Sequence, residues 1–222
     1  MGGPATADIQ RAGSLRVASD LSYPPMEFRD GAAARGFDID LAALLAGALG
    51  VRLSVVDMPL AAMTSEFPKG ADLILSALPA GRTPGIPSDP YYISGQALLW
   101  RNGAPVQTLE ALRGHRVAAA AGTGAETLIR AAGRQFVTYL PEQAFAAVAD
   151  GRVQAAVGDR PLVLAFAGTH PDLGATAGPW GEVPLVAAAR PDAPDLAAFV
   201  SAAIQALRRD GGLDQLRRRW HL

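Results

Sequence analysis

One local pattern is written twice along this chain: a short apolar run that suits a strand, then a stretch with apolar residues at helical spacing. Residues 15–19 read as a strand. Asp38 can cap a helix over 38–49, where Ile39, Leu41, Leu44, Leu45 and Leu49 share one face and Gly50 marks the stop. Residues 51–56 read as a strand and 60–67 as a helix closed by Pro68. Residues 72–76 read as a buried strand and 97–101 as another, after a Pro/Gly-rich loop over 81–90. Asn102-Gly103-Ala104-Pro105 is a linker by composition. The pattern then resumes, with strands expected at 117–121, 136–139, 153–157 and 183–188. Helices are expected at 123–132, 141–150 and 161–167, the first opened by a capping box of Thr123 and Glu126. Two tail helices, 194–209 and 213–220, are split by Gly211 and Gly212. Strands that alternate with helices predict parallel sheets covered on both faces, so the fold class is α/β. Two such units, before and after residue 102, predict two lobes facing each other across a cleft.

Composition narrows the function. The formal net charge is −1, which argues against nucleic acid and against bulk attraction to a charged membrane surface. Hydrophobic residues are 50% and charged residues 18%, which excludes a disordered chain. There is no cysteine, so disulfides, thiolate metal sites and cysteine nucleophiles are out. His115, His170 and His221 lack ligand spacing, so no metal is expected. No apolar run is long enough to span a bilayer. Met1-Gly2-Gly3-Pro4 lacks the basic and apolar regions of a signal peptide. That start fits a cytosolic protein, or an exported one whose signal has been replaced.

In open α/β sheets, ligands bind beyond the carboxyl ends of the strands. That rule selects Asp20 and Tyr23 after the first strand, Ser76 and Arg82 after the 72–76 strand, Thr123 and Gly124 after the 117–121 strand, and Asp159 after the 153–157 strand. The set suits a small zwitterion. A guanidinium fork and a helix N-terminus both favour a carboxylate. A carboxylate such as Asp159 pairs with an ammonium, and Tyr23 can cover a side chain. Each has a plainer reading. Thr123 and Glu126 read equally as caps alone, Asp159 as an N-cap, Arg82 as a solvated charge, Tyr23 as packing beside Pro24 and Pro25, and Asp20 as a turn-former. Gly122-Thr-Gly-Ala-Glu-Thr127 begins like a dinucleotide fingerprint but has Thr127 where the third small residue belongs.

With these residues in place, the chain resembles the solute-binding proteins of bacterial ABC importers, polar amino-acid group (family 3). The resemblance rests on Leu15-Arg-Val-Ala-Ser-Asp-Leu-Ser-Tyr-Pro-Pro25, Gly36-Phe-Asp-Ile-Asp-Leu41, Asp72-Leu-Ile-Leu-Ser76, Ser88-Asp-Pro-Tyr-Tyr92, Gly122-Thr123 and Gly151-Arg-Val-Gln-Ala-Ala-Val-Gly-Asp159. It implies the two-lobed periplasmic-binding-protein fold (type II), with parallel or mixed sheets and a two-strand hinge near 100–103 and 186–190. Lobe one would comprise 13–101 with 189–222, and lobe two 102–188. It further implies a monomeric, non-enzymatic periplasmic protein without a cofactor. Its partners would be a small solute and an ABC permease in the inner membrane. By the same resemblance, Tyr23 stacks on the solute, Arg82 holds its α-carboxylate with Thr123 and the Gly124 amide, Asp159 takes its α-amino group, and Asp20 reads a side-chain end. Ala77, Pro79, Leu60 and Ala125 depart from the family pattern, and the segment from Ser76 to Arg82 is about two residues short. Related proteins with altered pockets partner a periplasmic quinoprotein dehydrogenase, and some members of the fold are dehydratases. These stand as alternatives, the last using Asp20, Asp159 or Glu126 as acid or base.

Overall fold

In a computed structural model the described residues are 3–101, 108–132, 136–139 and 141–222, so the linker at Asn102-Gly103-Ala104-Pro105 lies outside them. The chain begins with α1 (Pro4–Ala12), β1 (Ser14–Ser19), β2 (Ser22–Tyr23), β3 (Glu27–Asp30), β4 (Ala33–Arg35), α2 (Phe37–Ala48), β5 (Arg52–Asp57), α3 (Leu60–Ser65) and β6 (Leu73–Ile74). A single turn of 3-10 helix (Ala80–Arg82) leads to β7 (Ile86–Pro87) and the long β8 (Tyr92–Arg101). A second 3-10 turn (Glu110–Leu112) precedes β9 (Val117–Ala120), α4 (Gly124–Ala131), β10 (Phe136–Tyr139), α5 (Pro141–Ala149), β11 (Ala155–Asp159) and α6 (Arg160–Gly168). The chain closes with β12 (Leu173–Leu185), β13 (Ala188–Ala189), α7 (Pro194–Arg209) and α8 (Gly212–Arg219).

These elements form two compact units, Met1–Ile93 with Pro184–Trp220, and Ser94–Val183 with the last two residues. The chain passes between them inside β8 and inside β12. The sequence reading had drawn the passages at 101/102 and 188/189.

The first unit holds a five-stranded sheet in the order β5-β1-β6-β13-β7. β1 runs parallel to β5 and β6, and β13 runs antiparallel to β6 and β7. An ion pair between the exposed Arg16 side chain and the buried Asp72 carboxylate ties two of these strands together. The Arg16 guanidinium donates to both carboxyl oxygens of Asp72 at 3.0 and 2.8 Å, and the Arg16 amide donates to the same carboxylate at 3.0 Å. The small sheet β2-β3-β4, the short β7 inside the expected 81–90 loop and α1 were not expected, and the strand expected at 183–188 is instead the longer β12 with the separate β13. The Thr6 amide and hydroxyl of α1 donate to Asp195 at 2.9 and 3.0 Å. The expected cap at Asp38 is also corrected. The helix α2 starts at Phe37, and Asp38 lies fully buried inside its first turn. Gly36 makes this entry possible. Its φ is 129°, and a Cβ there would sit 2.2 Å from the Met26 carbonyl oxygen.

The second unit holds a five-stranded sheet, β10-β9-β11-β8-β12. β9 is parallel to β10 and β11, whereas β8 runs antiparallel to β11. Alternation along the strands builds two cores. Leu99, Ala118 and Ala156 pack with α5 and α6, whereas Leu98, Val117, Ala119, Ala155 and Val157 pack with α4 and the 110–112 turn. A strand buried on both faces needs no polar alternation, which is why β9 reads Val-Ala-Ala-Ala. Trp100 and Trp180 both pack against the second of these cores. No helix among the described residues is long and apolar enough to cross a membrane.

Candidate functional site

In the first unit, Asp20, Tyr23, Ser76 and Arg82 follow the ends of β1 and β6 as the strand-end rule expects. The structure joins two of them directly. The Asp20 amide donates to Ser76 Oγ at 2.9 Å, so the register of parallel β1 and β6 is carried past the strand ends. The Asp20 carboxylate organises its own loop. It accepts the Ser22 hydroxyl at 2.6 Å and the Leu60 amide, at the first residue of α3, at 2.8 Å. Ser76 is wholly buried, and its hydroxyl donates to Glu27 Oε1 at 3.0 Å.

The turn after Ser76 is strained. Ala77 has a φ of 42°, a left-handed conformation that a residue with a Cβ adopts at a cost. Its amide donates to Asp38 Oδ2 at 2.6 Å, and the Tyr91 hydroxyl donates to the same oxygen at 2.8 Å. Tyr23 is half-buried. Arg82 ends the 3-10 turn exposed, and its guanidinium makes no hydrogen bond or ion pair among the described residues.

Two carboxyl groups beneath these turns are strongly perturbed. Burial, reinforced by the charge of Asp38, pushes Glu27 up to about 11. Burial raises Asp38 to about 6, although the Ala77 amide and the Tyr91 hydroxyl both favour its charged form. Burial and the same two acids raise the Tyr91 phenol well above its usual value.

In the second unit, Thr123 and Gly124 follow the end of β9, and Asp159 is the last residue of β11. The Thr123 hydroxyl donates to the Ala120 carbonyl at 2.7 Å and makes no capping bond. The expected box is therefore not formed, and Glu126 reaches one residue further back instead. Glu126 accepts the Gly122 amide at 2.8 Å, and this bond followed by its pair with Arg130 holds Glu126 below the usual carboxylate range. Asp159 stands at the start of α6 but caps nothing with its side chain. It accepts Gln96 Nε2 at 2.9 Å instead. Register explains the contact, since Asp159 lies opposite Gln96 in the antiparallel β11–β8 pair. A Cβ on Gly124 would meet the same Gln96 nitrogen at 3.1 Å. Gln96 thus links the two predicted features of this unit. The strand-end rule misses it because it lies inside β8.

Among the described residues, no cluster of three or more His, Asp or Glu could hold a metal ion. The strand ends of the first unit carry an exposed guanidinium without a partner among the described residues, an aromatic ring and a hydrogen-bonded carboxylate; those of the second carry a helix N-terminus and a hydrogen-bonded carboxylate.

The sequence profile of the bacterial extracellular solute-binding proteins, family 3, matches residues 15–222. The L-cystine-binding protein TcyJ of Escherichia coli (strain K12) is 29% identical over 226 residues, 96% of this chain and 84% of that protein. The arginine-binding extracellular protein ArtP of Bacillus subtilis (strain 168) is 29% identical over 113 residues, 49% of this chain; the match spans 44% of ArtP. Among solved structures, the ancestral cationic amino acid solute-binding protein AncCDT-1 superposes with a TM-score of 0.84. It is 28% identical, covering 99% of this chain and all of that one.

Proposed function

This chain belongs to the bacterial extracellular solute-binding proteins, family 3, and from that premise we propose that it captures a small carboxylate-bearing solute, an amino acid or a close relative, and delivers it to an ABC permease outside the cytoplasm. The observation that carries the reading is the placement of Asp20, Ser76, Thr123, Gly124 and Asp159 at strand ends in both units. TcyJ and ArtP, named for cystine and arginine, support an amino-acid ligand.

In this reading the Arg82 fork holds the α-carboxylate, helped by the Gly124 amide at the start of α4, and the Thr123 hydroxyl joins them by turning its hydrogen away from the Ala120 carbonyl. Asp159, steadied by Gln96, takes the ammonium group. Tyr23 packs on the solute side chain and Asp20 reads its far end. Ser76, being buried, serves the site from behind by fixing the Asp20 backbone. The protein acts as a monomer, and its work is binding rather than turnover. The test of the last point is pointed, because AncCDT-1 is described as a precursor of cyclohexadienyl dehydratase.

Isothermal titration against the amino acids and small organic acids tests the proposal. Heat of binding, with the solute recovered unchanged, is expected. No heat and no shift in melting with any of them overturns it, and conversion of a bound solute overturns the non-enzymatic part. Arg82→Ala should weaken binding at least about tenfold, the cost of one charge-assisted contact, and leave the melting temperature unmoved, because the side chain is exposed and bonded to nothing. Unchanged affinity removes Arg82 from the site.

A further inference from the structure

Glu27, the first residue of β3, and Asp38, in the first turn of α2, are buried acids whose segments are joined where the Asp38 amide donates to the Met26 carbonyl at 2.8 Å, and whose carboxyl groups act on each other. Every outer bond of the pair is accounted for. Glu27 Oε1 accepts the Ser76 hydroxyl, and Asp38 Oδ2 accepts the Ala77 amide and the Tyr91 hydroxyl. What remains is one oxygen on each side, Glu27 Oε2 and Asp38 Oδ1, buried and without a hydrogen-bond partner. Two such carboxylate oxygens can satisfy each other only with a hydrogen between them. The other ionisable groups facing the pair are Asp20 and the Tyr91 phenol, and no Lys, Arg or His contributes to the shift of either acid. A counter-cation from the protein is therefore not on offer, and a buried pair of negative charges is too costly to keep.

We propose that Glu27 and Asp38 hold a single proton between Glu27 Oε2 and Asp38 Oδ1, and that this proton makes them positioning residues for the solute site. Through Ser76 the pair fixes the Asp20 amide, and through Asp38 Oδ2 it holds Ala77 in its left-handed turn. Neither acid touches the solute. Both turns that follow β1 and β6 hang on one shared hydrogen. Calling these turns a solute site rests on the function proposed above; the shared proton itself does not.

Carboxyl-labelled 13C NMR of the full chain at about pH 7 reads the proton directly. Glu27 should show the shift of a protonated acid and Asp38 that of a carboxylate; two ionised carboxylates overturn the proposal. Glu27→Gln replaces the proton with an amide hydrogen and should keep the Ala77 amide as protected from exchange as in the natural chain. Glu27→Ala should speed that exchange about tenfold, the factor of one unmet buried hydrogen bond. Between about pH 6 and pH 9 the natural chain should lose melting temperature while Glu27→Gln stays flat. Equal behaviour of Gln and Ala variants, or one pH profile for the natural chain and Glu27→Gln, reduces the pair to ordinary packing and overturns the inference. None of these measurements uses a solute, so their outcome and that of the titrations above are independent.

Discussion

The two units bury different chemistry. Among the described residues, every buried polar or charged side chain, Glu27, Asp38 and Asp72 included, belongs to the first unit. The second unit buries alanine, valine, leucine and isoleucine, closed by small residues such as Gly158, whose absent Cβ leaves room for the Phe145 ring. The first is specified by bonds that each need one particular partner, the second by volume. Polar networks fix a turn shape but answer to pH, whereas small-residue packing answers to steric change and ignores protons.

The largest effect expected is from Asp38→Ala. It strands the Ala77 amide, the Tyr91 hydroxyl and the Glu27 carboxyl at once and should cost about 4 kcal/mol. Loss of amide protection in denaturant should concentrate in the first unit; an even loss across both would break the contrast. In the second unit Leu98→Ala should cost about 3 kcal/mol, and by the same amount at about pH 6 and pH 9, because only volume is lost. A pH-dependent cost there would mean that its core is not purely apolar in behaviour.

The pH response itself should divide between the units. Glu27 keeps its proton in the folded chain up to about 11 but loses it near about 4.5 when unfolded. Its folded form therefore binds the extra proton, and stability is fully present below the lower value and falls as pH rises towards the upper one. Asp38, raised to about 6, adds a fall of the same sign over the acid end of that range. Amide opening free energies measured in mild acid and mild alkali should drop with pH in the first unit and hold steady in the second. The smallest effect is on the surface. Arg130→Ala removes the exposed i,i+4 pair with Glu126 and should cost no more than about 0.5 kcal/mol in thermal melts.

What could be read from the residues follows the same divide. The strand–helix alternation was legible because apolar runs such as Val117–Ala120 announce themselves locally. The strand-end rule places Asp20, Ser76, Thr123 and Asp159 at the ends of those runs, which is where the structure has them. The small sheet was not legible, because Glu27–Asp30 carries three charged residues and no apolar alternation. The burial of Glu27 is decided by Ser76, 49 residues away. Asp38 looked like a cap because an acid before an apolar helix usually is one. Its actual role depends on a turn 39 residues later. Gln96 was hidden by its own strand, since its partner Asp159 is 63 residues off.

The strand order of the first sheet has a consequence for synthesis. β13 lies between β6 and β7, yet it is made only after the whole of the second unit. While the ribosome is still adding residues 94–183, the earlier half must wait with the Ile74 edge of its sheet unpaired, because Ala188 has not yet been translated. In the inserted half β8 waits as well, but only for β11 and β12, which are made within the same unit. A nascent chain stalled before β13 therefore leaves both β6 and β7 without the strand that joins them, and that part of the sheet closes only late in synthesis.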